Sequence, residues 1–372
     1  MRLYPILKQQ QSSISENLWN IALKVDEHVR ITPEEALLLY KEANISLLAL
    51  LSNYVREFKN RNYVYYNRNI HIEPTNRCKY KCKFCSYSDT ASGILWEQTH
   101  DEIIDTIRNA GARISEVHIV GGVDIQHDIY YYGDLLRKIK ADFPALHIKA
   151  FTAVELDFMF RQSDLSIKEG IKFLISCGLD SVPGGGAEIF DEKLRAEICP
   201  EKTSSQRWLD IHEALHYQGI NSNATILYGH YETYEHRVDH LNRLRNLQDR
   251  TRGFKAFIPL KFRNKNNFMS DLQEVSLLED LRNFAVTRIF LDNIDHIKAY
   301  WPMLGKQSAQ LALGFGVDDF DGTINDSTKI YSMAGAEETS PSMTSQEMMQ
   351  LIKSANRLPV ERDTHYNVIK AG

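Results

Sequence analysis

From His71 onward, short β-prone runs alternate with longer amphipathic ones, and this rhythm restricts the fold more than any other feature of the sequence. Strand-like runs lie near 70–74, 116–121, 146–152, 179–183, 223–228, 254–260, 287–291 and 309–315, eight in all. Helical spans at 101–110, 132–143, 166–177, 205–218, 234–249 and 277–284 separate most of them. Strands joined through helices run parallel and need cover on both faces. The expected class is α/β, a (β/α)8 TIM-type barrel, with an incomplete six-strand barrel as the alternative.

Ahead of the rhythm, Thr32-Pro33-Glu34-Glu35 offers an N-cap, a first-turn proline and two acids that favour the helix dipole, followed by apolar spacing through Val55. Residues 1–66 are therefore expected as an N-terminal helical extension and 67–320 as the barrel core. Residues 321–372 are expected as a C-terminal segment packing on the barrel, with a terminal helix over 344–355 opened by a Thr344 to Glu347 capping box.

At 372 residues, 43% hydrophobic and 25% charged, the chain has globular composition, and a net charge of −5 without a dense Lys/Arg run argues against a nucleic-acid or polybasic membrane surface. The first 24 residues lack the apolar core and cleavage site of a secretory signal, and Leu47–Leu51 is far too short to span a bilayer. A cytoplasmic protein acting on a small molecule is expected, with no nucleic acid and no membrane as partner.

Five cysteines, three of them inside eight positions, do not resemble a disulfide framework. Cys78, Cys82 and Cys85 place three thiolates on one short loop directly after the first barrel strand, at the end where barrels carry their chemistry. Electron-transfer clusters and structural zinc sites normally close four positions. Three ligands for a four-iron cluster leave one iron open to a chelating substrate; a zinc knuckle borrowing His71 or His100 is the competing reading. Cys177 and Cys199 read as ordinary buried residues.

The C-x3-C-x2-C spacing, with Phe84 before the last cysteine, resembles the radical S-adenosylmethionine superfamily. The resemblance implies a [4Fe-4S] cluster on Cys78, Cys82 and Cys85, with S-adenosylmethionine chelated at the open iron. Phe84 maps to the position beside the adenine, and Gly121-Gly122 to the glycine turn that approaches the methionine amino group; Val123 stands where an acid is often found. Thr152, Glu155 and Glu188 follow the third and fourth strands, where related enzymes hold the ribose and methionine groups. Gly184-Gly185-Gly186 lacks the Lys-Ser/Thr of a P-loop and reads as a turn near the ribose.

The later segments sharpen this. Phe151-Thr-Ala-Val-Glu155, Pro183-Gly-Gly-Gly-Ala-Glu188, Ser222-Asn-Ala-Thr-Ile-Leu-Tyr-Gly-His230, His236-Arg237-Val-Asp-His240, Asp292-Asn293, His296-Ile-Lys-Ala-Tyr-Trp301 and Pro359-Val-Glu-Arg-Asp363 together resemble the aminofutalosine synthases of the futalosine route to menaquinone. In that family the 5'-deoxyadenosyl radical adds to the enol ether of 3-[(1-carboxyvinyl)oxy]benzoate, and 6-amino-6-deoxyfutalosine forms with loss of the carboxylate carbon. S-adenosylmethionine is consumed as a cosubstrate, and an electron donor such as flavodoxin or ferredoxin is implied. Because the substrate carries two carboxylates, Arg195, Lys202, His230 and Arg237 are candidate contacts. The nearer rivals are a dehypoxanthine futalosine cyclase and a deazaflavin-cofactor synthase subunit, which share the barrel and loop.

A rival of another class comes from His212-Glu213-Ala-Leu-His216, the zinc-protease helix signature, with Glu235 as a third ligand. The helix carrying it belongs to the barrel's outer ring, behind the mouth.

Overall fold

The computed structural model describes residues 3–111, 114–324, 329–336 and 341–371. Its strands are β1 (Tyr63–Asn67), β2 (Asn69–Ile72), β3 (Glu116–Ile119), β4 (His147–Ala150), β5 (Ser181–Val182), β6 (Asn221–Tyr228), β7 (Phe254–Lys261), β8 (His296–Ile297), β9 (Asp319–Gly322), β10 (Leu358–Arg362) and β11 (Val368–Ala371). Strands β2 to β8 pair in sequence order as one seven-stranded parallel sheet. A second sheet has the order β11-β10-β1-β9.

The first six expected barrel strands correspond to β2 through β7. The last two do not. The run 287–291 is the end of the helix Leu277–Phe290, and 309–315 overlaps the helix Lys306–Ala312. Every residue from Asn283 to Phe290 is buried, so this helix has no solvent face over that stretch and its period cannot be separated from that of a buried strand. It is covered by the N-terminal helices Pro33–Glu42 and Ile45–Asn60. The Tyr40 hydroxyl donates to Asn283 Oδ1 at 2.7 Å, and Arg282 donates to the carbonyls of Tyr40 and Ala43. Where one helix through Val55 was expected, the chain breaks at Ala43, and Asn44 caps the second helix by accepting from Leu47 N at 2.8 Å.

In place of the expected eighth strand stands β9, joined to the β8 edge by a single parallel bridge, Lys298 to Asp319. On its other side the Thr323 hydroxyl accepts from Asn69 N (3.1 Å) and donates to Asn69 O (2.9 Å), which brings the β2 edge to the same place. The strand was not legible because its residues, Asp319-Phe-Asp-Gly322, are acidic rather than apolar. Thr344 and Glu347 form the capping box expected of them, and Thr32, expected as an N-cap, forms one with Glu35 as well. Among the described residues no helix is long and apolar enough to cross a membrane.

The register of the sheet places His71, His118, Lys149 and Ser181 side by side on β2 to β5. Residues in register on neighbouring strands share a face. Asn69, His71, Glu116, His118 and Lys149 all line one internal cavity, so that face is the lumen.

Candidate active site

The cavity has a volume of about 290 Å³ and runs from the loops after the strands down into the sheet. Its upper wall contains Cys78, Cys82, Phe84 and Cys85 from the loop after β2, Gly121 and Gly122 after β3, and Thr152 and Glu155 after β4. Gly184, Gly185, Gly186, Glu188 and Lys202 follow β5. Residues far apart in sequence thus meet because each belongs to a segment following one of four adjacent parallel strands.

Burial pushes the Cys78 and Cys82 thiols up from their ordinary range. Buried thiols in this state stay protonated unless a metal takes the proton's place. The one trio of His, Cys, Asp or Glu among the described residues with ligand atoms all within 4.8 Å of one another is Glu97, Asp124 and His127. The three cysteines are spread more widely than that, which suits a polynuclear cluster better than one zinc ion. Val123 N lies 3.4 Å from Cys78 Sγ, the kind of backbone donor that stabilises a thiolate.

Gly122 has no room for a side chain. A Cβ there would stand 2.2 Å from the Arg77 carbonyl oxygen, and one on Gly121 would stand 2.8 Å from the Thr75 carbonyl oxygen. The glycine turn is therefore packed against the backbone that leads into the cysteine loop. Gly121 N donates to Glu155 Oε1 at 3.1 Å, and Thr152 N and its hydroxyl both donate to Glu155 Oε2 at 2.7 Å. Glu155 completes the capping box of the helix Ala153–Gln162 while facing the cavity. Burial outweighs these hydrogen bonds and raises its carboxyl to about 7.

Lys202 reaches the cavity beneath the cysteines, with Nζ 2.5 Å from Glu188 Oε1 and 5.2 Å from the centre of the Phe84 ring. Burial works against its charge, and the contact with the Glu188 carboxylate holds the ammonium. Glu188 has φ 46°, a left-handed conformation that non-glycine residues rarely adopt and that functional sites often retain. Gly184 to Gly186 press on β6 and on Thr152 and Val154, consistent with a tight turn.

The structure engages three of the expected substrate contacts elsewhere. Arg195 is buried and donates to the carbonyls of Ala187, Ile189 and Thr203, stapling its own loop. Arg237 pairs with Glu232 at 2.8 Å and Glu279 at 2.6 Å, and His230 donates toward the Leu227 carbonyl at 3.1 Å. None of the three lines the cavity. Each answers a buried acceptor, which sequence cannot reveal. Conversely, the strand residues His71, His118 and Lys149, with Lys298 just beyond β8, do line it. The inward period of the strands was the signal that could have found them.

The zinc-protease signature is a structural pair. His212 Nδ1 and His216 Nε2 each lie 2.8 Å from the same Ser222 hydroxyl, Glu213 pairs with Arg250, and Glu235 pairs with Lys41. None of these residues lines the cavity.

Residues 72–244 match the radical SAM superfamily model, and residues 251–371 match the CofH/MqnC C-terminal region. The chain is 40% identical to the aminodeoxyfutalosine synthase of Thermus thermophilus, over 94% of this chain and 95% of the relative. The chain belongs to the radical SAM superfamily, among the aminodeoxyfutalosine synthases and their relatives. It is also 37% identical to the cyclic dehypoxanthine futalosine synthase of Streptomyces coelicolor, over 91% of this chain and 85% of the relative. Solved structures share the fold at low identity. Methylornithine synthase superposes with a TM-score of 0.72 at 16% identity, covering 90% of this chain and 95% of that one. The FeFe-hydrogenase maturase HydG from Carboxydothermus hydrogenoformans gives 0.75 at 15%, covering 98% and 84%. As a radical SAM enzyme of the futalosine pathway, this protein uses a [4Fe-4S] cluster and S-adenosylmethionine.

Proposed function

We propose that this chain is an aminofutalosine synthase, joining the adenosyl unit of S-adenosylmethionine to 3-[(1-carboxyvinyl)oxy]benzoate to give 6-amino-6-deoxyfutalosine and methionine, with loss of the carboxylate carbon. When bound, the cluster supplies the electron that releases the 5'-deoxyadenosyl radical from S-adenosylmethionine. Cys78, Cys82 and Cys85 would hold it. Gly121 and Gly122 present bare backbone for close approach, Glu155 and Thr152 accept hydroxyl donors, and Glu188 with Lys202 offers a paired charge beside the Phe84 ring.

Apolar side chains of Val120, Val154, Leu227, Ile258 and Leu260 line the cavity between these groups, and such walls exclude water from a reactive intermediate. The observation that carries the reading is this convergence: the residues assigned to cluster, nucleotide and methionine all face one cavity that continues into the lumen. The reductant is a small acidic carrier such as flavodoxin or ferredoxin, and the exposed Lys79, Lys81 and Lys83, interleaved with the cysteines, favour it.

The reading is tested by incubating reduced holoenzyme with S-adenosylmethionine and the enolpyruvyl benzoate. An adenosyl-aromatic adduct is expected. Free 5'-deoxyadenosine without adduct would instead favour the second reading, a cyclase, which the 37% identity with that enzyme supports.

A further inference from the structure

Below the level of the glycine turn the lumen ends in a polar floor that neither cluster nor nucleotide accounts for. His71 and His118 sit in register on β2 and β3, their rings 4.5 Å apart and edge to face. Lys149 is level with them on β4. Lys298, just beyond β8, completes the set, and all four line the cavity. His118 lies three residues before Gly121 on an extended strand, which puts the floor roughly 10 Å from the turn.

Each lysine is buried and already neutralised. Lys149 Nζ lies 2.8 Å from Glu116 Oε2, and Lys298 Nζ lies 2.8 Å from Asp321 Oδ1. Among the described residues each ammonium uses one of its three donors on these partners. His118 Nε2 is buried without a hydrogen-bond partner. Burial holds His71 near 4 and His118 well below its ordinary value, so at neutral pH both rings are uncharged, each with one N–H donor. A buried polar atom without a partner costs free energy unless a ligand completes it. The floor therefore presents spare donors from two cations and from a neutral imidazole, flanked above by apolar walls. That pattern suits a flat ring ending in an anionic oxygen pair.

We propose that the floor formed by His118, Lys149 and Lys298, with His71 packed beside it, binds the aryl carboxylate of the substrate. This inference rests on the proposed function and deepens it. The carboxylate on the enol ether, which is lost, then stays at the upper end beside the nucleotide, and the ring carboxylate, which is retained, anchors the substrate from below. Orientation follows from the spare donors: the enol ether carbon that must bond to the adenosyl C5' is turned upward because the benzoate oxygens are held down by His118 Nε2 and the unused N–H groups of Lys149 and Lys298.

The test is equilibrium binding, by calorimetry on anaerobically reconstituted, unreduced holoenzyme with S-adenosylmethionine present. The probes are 3-[(1-carboxyvinyl)oxy]benzoate and its benzamide counterpart. The native protein should bind the acid at least about tenfold more tightly than the amide, the scale of one charge-assisted contact. His118→Phe should narrow that preference to about threefold. The paired change Lys298→Met with Asp321→Asn, which leaves no buried charge alone, should narrow it likewise.

Unchanged iron content and S-adenosylmethionine affinity would show that the variants are folded. Equal binding of acid and amide by the native protein, no binding of either, or a preference that survives in both folded variants would overturn the proposal. The adduct assay is independent. A preference for the acid without adduct on reduction would support the floor and unseat the assigned reaction, whereas adduct without preference would do the reverse.

Discussion

Replacing Gly122 by alanine should damage the cluster loop from a distance. The added Cβ would meet the Arg77 carbonyl oxygen at 2.2 Å, the Arg77 carbonyl carbon at 2.7 Å and the Asn76 carbonyl carbon at 2.9 Å, all of them backbone. Ordinary contact begins near 3.4 Å, so the strand end or the 76–78 segment must yield by roughly 1 Å. Cys78 is the next residue along. Overpacking of this kind costs about 1–3 kcal/mol, a fall of roughly 5- to 150-fold in the folded-to-unfolded ratio and about 1–4 °C in Tm for a chain this long. The matched control is Gly314→Ala, whose nearest added contact is 3.5 Å and whose backbone is not left-handed. Thermal unfolding and iron content after anaerobic reconstitution are measured for both. Gly122→Ala should lose stability and bound iron while Gly314→Ala keeps both; equal iron and equal Tm in the two would refute the reasoning.

Three further outcomes are expected. Because burial raises the Glu155 carboxyl from 4.5 to about 7, the folded protein keeps a proton the unfolded chain releases, so this group's stabilisation is full below about 4.5 and is lost as pH rises through 7. Denaturant titrations should find Glu155→Gln gaining relative to the native chain by up to about 3 kcal/mol between pH 5 and 8; a constant difference would contradict the burial argument. His212→Phe removes one of two hydrogen bonds to Ser222, so it should cost about 1 kcal/mol in unfolding assays, with S-adenosylmethionine cleavage per folded molecule unchanged and no zinc bound before or after. The pair Lys81→Glu and Lys83→Glu should slow turnover several-fold with flavodoxin at low salt but leave dithionite-driven turnover intact; equal slowing with both reductants would remove the docking role.

What could be read from the sequence followed from local signals. Cysteine spacing marked the loop, and N-cap residues followed three positions later by Glu marked helix starts at Thr32 and Thr344. Thr152 and Glu155 were placed by their position after a strand, and in the structure they cap the helix Ala153–Gln162 while lining the cavity. The failures came from non-local burial. Thr287–Leu291 carries strand-like Thr287, Ile289 and Phe290 because its helix is surrounded by protein, not because it is a strand. The strand β9 escaped notice because Asp319 and Asp321 pair with Arg362 and Lys298, partners distant or unrecognisable in sequence. Arg195 and Arg237 were drawn to the site by charge alone, and their acceptors, loop carbonyls and the acids Glu232 and Glu279, became visible only once the chain was folded.

The central claim is that three thiolates on one loop hold a four-iron cluster with a corner open to S-adenosylmethionine. Anaerobic reconstitution with iron and sulfide, followed by metal and sulfide analysis and electron paramagnetic resonance of the reduced protein with and without S-adenosylmethionine, tests it directly. About four irons and four sulfides per chain are expected, with a signal that changes when S-adenosylmethionine is added and is lost in Cys82→Ala. One tightly held zinc and no iron, or a cluster that assembles equally well in Cys82→Ala, would contradict it.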